Sequence, residues 1–423
     1  MALKRMKRFP GIDENSKDNI IEVQEDPNGR FFEAPDELID LQNINIVGTT
    51  VDTVRPMFSG KLKEQPINNI INCIENRGEF LSQWVYAQWH VSKVGRSSGF
   101  TYKLQNNEIG VIVLIKSQYK AIDKIATHVK IELSPQFIQS RTPKQITSEM
   151  RTISSWLLEE PEPAGVHVHM AVDVQGWQPS EDFESLFVTR ARTKRVFDGI
   201  ANVEFEGLSS VAMVYGQRET FMYGKASALQ ACIYRKDIEI VKRDKQDYMH
   251  ELWSVLSDGL FDSEKPVWRV ELRFHHSVIQ EIGIHLEQDF LEFESVVPYL
   301  TDIWRYGMNR NRLMYNRQYL DPFWQLLDED CEFYVPAKQI QLKRVKKKGG
   351  ECIIRNCSIF LGNMITLYAR RGDDGSKLWD DLYNMDIYDD LIESYEERGK
   401  DIKHLYDDII RGVKLRKLIG KAA

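Results

Sequence analysis

Apolar and polar residues alternate with a period of two in three segments of this chain, the spacing of β-strands that bury one face. In 166–174, Val166, Val168, Met170 and Val172 share one face, while His167, His169 and Asp173 share the other. Gly176, Trp177 and Pro179 follow, residues that end strands. In 268–276, Arg269, Glu271, Arg273 and His275 alternate with Val270, Leu272 and Phe274; in 128–135, His128, Lys130 and Glu132 alternate with Val129, Ile131 and Leu133. The pattern predicts three strands, each with an apolar face turned inward and a titratable face turned outward. As sheet neighbours they would form one charged working surface. Taken singly, each also fits a strand whose outer face is merely hydrated.

The remaining pattern fills in an α+β chain. A β-branched run over 44–58, containing Asp52 and closed by Ser59 and Gly60, predicts a strand. An amphipathic helix is predicted at 79–89, and strands at 99–104 and 109–116 joined through Asn106-Asn107. Ile146, Met150, Ile153, Trp156 and Leu157 place a helix at 143–158, set off from the His167 strand by Pro161 and Pro163. A short helix at 183–188, strands at 202–206, 209–215 and 228–235, and a helix at 246–256 follow. The stretches 290–319 and 378–419 read as largely helical. The expected organisation is a flexible arm over 1–35, an antiparallel α+β region over 36–285 that carries the chemistry, and a mostly helical region over 286–423.

Composition narrows the setting. The 423 residues are 42% hydrophobic and 28% charged, as in soluble globular proteins of two or three domains. No segment reaches the length of a membrane span, and no apolar stretch follows Lys4, Arg5, Lys7 and Arg8, so a cytoplasmic protein without signal or anchor is expected. The five cysteines are scattered without zinc-type spacing, which makes reduced thiols the expectation. A net charge of −7 excludes a uniformly basic nucleic-acid coat. Base gathers locally at Lys343, Arg344, Lys346, Lys347 and Lys348, and at Arg190, Arg192, Lys194 and Arg195; acid gathers between 373 and 397. Such runs suit a solvated surface as well as a binding site.

A face that mixes acids and histidines with arginine and lysine suits a phosphate ester, since a metal polarises one phosphoryl oxygen while a cation binds another. In 229–236, Tyr234 shares the polar parity with Gln230, Cys232 and Lys236. A phenol is a weak nucleophile at its ordinary pKa near 10, and a neighbouring cation or metal lowers the cost of using it. Tyr215 and Tyr223 lie close enough in sequence to compete for the role. Trp304, Arg305, Tyr306, Arg310, Arg312, Tyr315, Arg317 and Tyr319 interleave aromatic rings with arginines, as stacking on a melted strand requires. On one long helix, Arg305 with Arg312, and Arg310 with Arg317, would share a face. A helix with core aromatics and solvated arginines fits equally.

The ordered run Val214-Tyr215-Gly216-Gln217-Arg218-Glu219-Thr220, Gly224-Lys225-Ala226-Ser227, Ile233-Tyr234-Arg235-Lys236 with Glu239, and Trp268-Arg269-Val270-Glu271-Leu272-Arg273 resembles the replication initiation factor family over roughly residues 40–330. That family comprises rolling-circle initiators of plasmids and filamentous phages, and relaxases of some conjugative elements. His167 and His169 stand where the family strand usually carries Arg-x-Asp before a second Asp, a departure that leaves Asp173 the firmer ligand and makes His-Val-His either a substitute or a chance imitation of the His-hydrophobic-His motif of the wider nickase superfamily. The resemblance implies a relaxase-like antiparallel nickase core. It casts Tyr234 as nucleophile, with Lys236 and Arg269 steadying the scissile phosphate. Mg²⁺ or Mn²⁺ would be held by Asp173, Glu271, Glu132, His169 and His167. It further implies origin DNA as partner, host helicase and polymerase downstream, and a homodimer. A conjugative relaxase with the same chemistry, and a catalytically inactive DNA-binding regulator, are the alternatives on this scaffold.

Overall fold

A computed structural model of the chain describes residues 3–5, 31–33, 38–75, 80–84, 87–95, 98–197, 202–204, 211–213, 220–242, 245–333, 350–396 and 399–419. Two compact units divide after Lys343. The first is built on eleven strands: β1 (Asn45–Leu62), β2 (Phe80–Trp84), β3 (Ala87–Lys93), β4 (Phe100–Asn106), β5 (Val111–Ser117), β6 (Ala126–Leu133), β7 (Leu158–Gln175), β8 (Lys194–Phe197), β9 (Thr220–Tyr223), β10 (Leu229–Arg235) and β11 (Trp268–Phe274). They form one sheet in the order β8-β9-β10-β11-β7-β1-β6-β5-β4-β3-β2, antiparallel at every joint.

The helices of this unit are α1 (Glu64–Glu75), α2 (Pro143–Leu157), α3 (Lys236–Lys242), α4 (Gln246–Leu256), α5 (His276–His285), α6 (Leu300–Arg310) and α7 (Pro322–Glu329). α2 starts where expected because Thr142 and Gln145 form a reciprocal capping box ahead of Pro143. Its apolar stripe of Ile146, Met150, Ile153 and Leu157 is buried. The apolar face of the sheet, including Val168, Met170, Val270, Leu272 and Ile233, joins residues from α2, α6 and α7 in one core. Gly307 in α6 makes that packing close: a Cβ there would meet Leu272 Cδ1 at 2.6 Å and Phe274 Cζ at 2.7 Å.

The three strands with alternating titratable faces are all present, with β7 and β11 adjacent; β1 separates β7 from β6, so the Glu132 strand is one place further out. The faces predicted to be outward are buried: Asp173, Arg269 and Glu271 are each 1% exposed or less. α3 and α4, which no periodicity links to the sheet, cover that side through a small apolar cluster of Val47, Ile240, Met249, Leu252, Trp253 and Val267.

Several elements differ from expectation. The stretch 79–89 is not a helix but parts of β2 and β3, where Trp89 and Val91 are buried on alternate positions and Gln88 is exposed; the helix lies earlier, at α1. Pro161 and Pro163 do not separate α2 from the strand, since β7 begins at Leu158. The prolines sit at register shifts against β1, where a missing N–H is tolerated. The helix expected through 319 stops at Arg310, and Asn311–Leu313 pairs with Phe187–Thr189, so Arg312 and Arg317 leave the helix face. In the segment expected as an arm, Leu3–Arg5 and Phe31–Glu33 join Leu38–Asp40 in a small sheet. The boundary expected at 285/286 is displaced because Trp304, Met308 and Trp324 belong to the core of the sheet. The strands expected at 202–206 and 209–215 are seen as Asn202–Glu204 and Val211–Met213; the rest of those stretches, and the basic run 343–348, lie outside the described residues.

The second unit contains α8 (Gly350–Arg371), α9 (Gly375–Tyr383), α10 (Tyr388–Glu396) and α11 (Ile402–Ile419), around a core that includes Leu378, Leu391, Ile409 and Val413. This matches the helical reading of 378–419. Among the described residues no helix is long and apolar enough to cross a membrane.

Gly307→Val should destabilise the first unit by at least about 1–3 kcal/mol, the cost of overpacking a filled core. Urea unfolding followed by tryptophan fluorescence checks this; an unchanged midpoint would return 300–310 to a separate helical region.

Candidate functional site

The antiparallel register turns the three polar patterns into rows across the sheet. Tyr234 on β10 stands opposite Arg269 on β11, which stands opposite Asp173 on β7. One row along, Glu271 lies between Cys232 and Ala171; one further, Arg273 lies between Gln230 and His169. β1 continues the rows, with Thr53 opposite His169 and Arg55 opposite His167. A bulge in β1 falls between these positions and Val51, and it re-aims Asp52 toward the polar side.

Each acid in this array is held by an arginine. Arg269 donates Nε to Asp173 Oδ1 (2.6 Å) and Nη2 to Asp173 Oδ2 (2.7 Å), and its Nη1 reaches Asp52. Trp253 Nε1 from α4 gives Asp173 Oδ2 a further bond at 2.8 Å. Gly48 makes room for that indole, since a Cβ there would stand 3.2 Å from Trp253 Cδ1. Arg273 clasps Glu271 through Nε (2.8 Å) and Nη2 (3.1 Å), and His169 Nδ1 approaches Glu271 at 3.5 Å. Arg55 pairs with Glu132 at 2.9 Å. Lys236 begins α3 rather than ending the strand, and its ammonium pairs with Glu239 at 2.6 Å and lies 5.8 Å from the centre of the Tyr234 ring.

Tyr234 donates its phenolic proton to Glu271 Oε2 at 3.0 Å. Burial and the Glu271 charge together raise its pKa well above 10, so the phenol is protonated at rest, with its O–H directed at the Glu271 carboxylate. Glu271 is held well below the usual carboxylate range, Arg273 and His169 overcoming the opposing effect of burial. Burial raises Asp52 while Arg269 lowers it further, to about 2. Of the competing tyrosines, Tyr223 faces the other way: it stacks on Phe187 at 4.3 Å in the apolar core. Tyr215 lies outside the described residues.

The acids assigned to Mg²⁺ or Mn²⁺ do not fit that role together. Asp173 spends both oxygens on Arg269 and Trp253, Glu271 on Arg273 and Tyr234, and Glu132 pairs with Arg55. Hard cations need several oxygen ligands converging on one point. Arg269, expected to bind a phosphate, is likewise engaged by Asp173 and Asp52. Among the described residues, the one group of three or more acid, histidine or cysteine side chains with metal-holding spacing is His167, His275 and His276. His167 was expected in a metal site; His275 had been placed on strand parity and instead caps α5, and His276 was missed. His128 is a satisfied core residue, bonded to Ser117 N and Lys124 O. The aromatic-arginine run is divided: Trp304 is buried with Nε1 bonded to Leu327 O, while Arg310 stacks over Tyr306 at 4.5 Å.

Sheet and site together define an α+β protein with an antiparallel sheet and a buried, internally paired charged face. No family model matches the chain. It is 30% identical over 392 residues to the "Uncharacterized protein ORF430" of Pseudomonas phage Pf1, covering 88% of this chain and 89% of the phage protein. The chain belongs to the family that this phage protein represents.

Asp173→Ala should cost about 3–5 kcal/mol, because it strips a buried guanidinium of its bidentate partner; urea unfolding measures it, and a change below 1 kcal/mol would deny the pair its structural role. Acid should also destabilise the fold early. Burial holds His169 to about 4 and His167 well below its ordinary 6.5. The unfolded chain therefore binds more protons as pH falls from about 6.5 to 4, and stability falls through that window. Urea midpoints should decline from pH 7.5 to 4.5, and His169→Gln should flatten the decline.

Proposed function

We propose that this protein nicks one strand of DNA at a replication origin, using Tyr234 as the nucleophile. The observation that carries the reading is the Tyr234 hydroxyl bonded to the Glu271 carboxylate at 3.0 Å beside two arginines and a lysine. Glu271 accepts the phenolic proton as Oη attacks phosphorus. The P–O3′ bond breaks, leaving a 5′-phosphotyrosine and a 3′ oxygen that takes a proton from water. The Tyr234 residue is half-buried, whereas Asp173, Arg269 and Glu271 are fully buried. Arg269 and Lys236 flank Tyr234, and each would exchange a carboxylate partner for a phosphoryl oxygen as charge builds there.

The resemblance of the motif order to the replication initiation factor family supports the same chemistry, as does a relative from Pf1, a filamentous phage. The free 3′-OH would prime synthesis and recruit host helicase and polymerase. A conjugative relaxase would make the same cut on a different DNA. The inactive regulator draws on the arginine clasps, which leave no pair of acids spare for an oxygen-bound metal.

Incubation with supercoiled or single-stranded origin DNA and Mn²⁺ should yield an adduct that survives denaturation, and Tyr234→Phe should abolish it. An adduct undiminished in Tyr234→Phe rejects the nucleophile. DNA binding without any nicking by the wild type, across divalent metals, favours the regulator.

A further inference from the structure

A second cluster lies midway along β7, around His167. His167 comes from β7, His275 follows β11 directly, and His276 opens α5. Ring centres are 4.5 Å (His167–His275), 5.2 Å (His167–His276) and 4.2 Å (His275–His276) apart, and one nitrogen from each lies within 4.8 Å of the others. His167 is 6% exposed, and its Nε2 is buried without a hydrogen-bond partner, as is His276 Nδ1. A buried imidazole nitrogen left without a partner is costly in a folded protein. Ser277 Oγ stands 2.9 Å from His275 Nδ1. In the cap of α5 the same Nδ1 accepts from the Ser277 backbone N–H at 3.3 Å; binding a metal through Nε2 requires the other tautomer, with Nδ1–H donating to Ser277 Oγ in place of that cap bond.

We propose that His167, His275 and His276 bind a borderline divalent cation of the Zn²⁺ type, with a fourth coordination position left for an exogenous anion. Three neutral nitrogens and no carboxylate select zinc, cobalt, nickel or copper over Mg²⁺ or Ca²⁺. Lys130 acts electrostatically on all three rings, and Arg55 on His167. A dication added here gives a strongly positive locus, which an anionic oxygen, hydroxide or phosphate, would neutralise as fourth ligand. The site is separate from the tyrosine: Glu271 and His275 are four residues apart along one extended segment, roughly 13 Å. It does not rest on the nicking reading.

Full-length protein stripped with chelator and titrated with Co²⁺ should develop the visible absorption of a four-coordinate site, saturating at one ion per chain. Zn²⁺ should displace it; excess Mg²⁺ should not. X-ray absorption of the zinc-loaded wild type should give three imidazole nitrogens at about 2.0–2.1 Å, a readout that needs no variant. His167→Ala and His276→Ala should lose the site, whereas the exposed His285→Ala and Tyr234→Phe should keep it. Wild-type protein with no saturable site, fewer than three imidazoles in the absorption data, or Co²⁺ binding unaltered in His276→Ala overturns the proposal. Because Tyr234→Phe separates metal binding from adduct formation, failure of either reading is visible without the other.

Discussion

A guanidinium that is 1% exposed sets the terms for everything around it. Arg269 sits mid-sheet, and a charge so deep is tolerable only with its partners in place and their own valences filled. Asp173 supplies two oxygens from the neighbouring strand, and Asp52 supplies one from the strand beyond. Trp253 then satisfies the lone pair that Arg269 leaves on Asp173, which draws α4 onto the sheet, and the bare backbone at Gly48 lets the indole reach. The covering helices, the bulge in β1 and the missing side chain are thus consequences of one buried cation. Glu271 and Arg273 repeat the solution two residues along, and Glu271 Oε2 accepts from both Arg273 Nη2 and the Tyr234 hydroxyl.

Much of this was legible as parity. Alternation in 166–174, 229–235 and 268–274 assigned His169, Asp173, Tyr234, Arg269, Glu271 and Arg273 to single faces, and pairing of β10, β11 and β7 puts those faces side by side. Strand order was not legible, because any two amphipathic strands satisfy the same periodicity. Asp52 escaped for a specific reason: strict alternation from Arg55 and Thr53 assigns it to the apolar side, and only the bulge turns it over. The burial of the charged face was hidden because its cover comes from α3 and α4, whose sequence separation from β7 exceeds anything local pattern can report. The stretch 80–93 misled because a few aromatic and apolar residues satisfy periods of 2 and 3.6 alike over so short a span.

The chemistry expected of the acids divides in the folded protein. Oxygen ligands are consumed by arginines, while His167 Nε2, midway along the same strand, remains without a hydrogen-bond partner. A sequence motif such as His-Val-His names residues that share a face, but sharing a face is not sharing a function. His169 turns to Glu271 and joins the charged network, whereas His167 turns to His275 and His276.

The central strand therefore carries two different chemical groupings at a fixed interval. Six residues of extended chain separate His167 from Asp173, about 20 Å, and with ladders on both sides the strand cannot stretch or slide. The distance between the imidazole group and the arginine group is therefore set by backbone pairing alone, so a side-chain change at one leaves its spacing from the other unaltered.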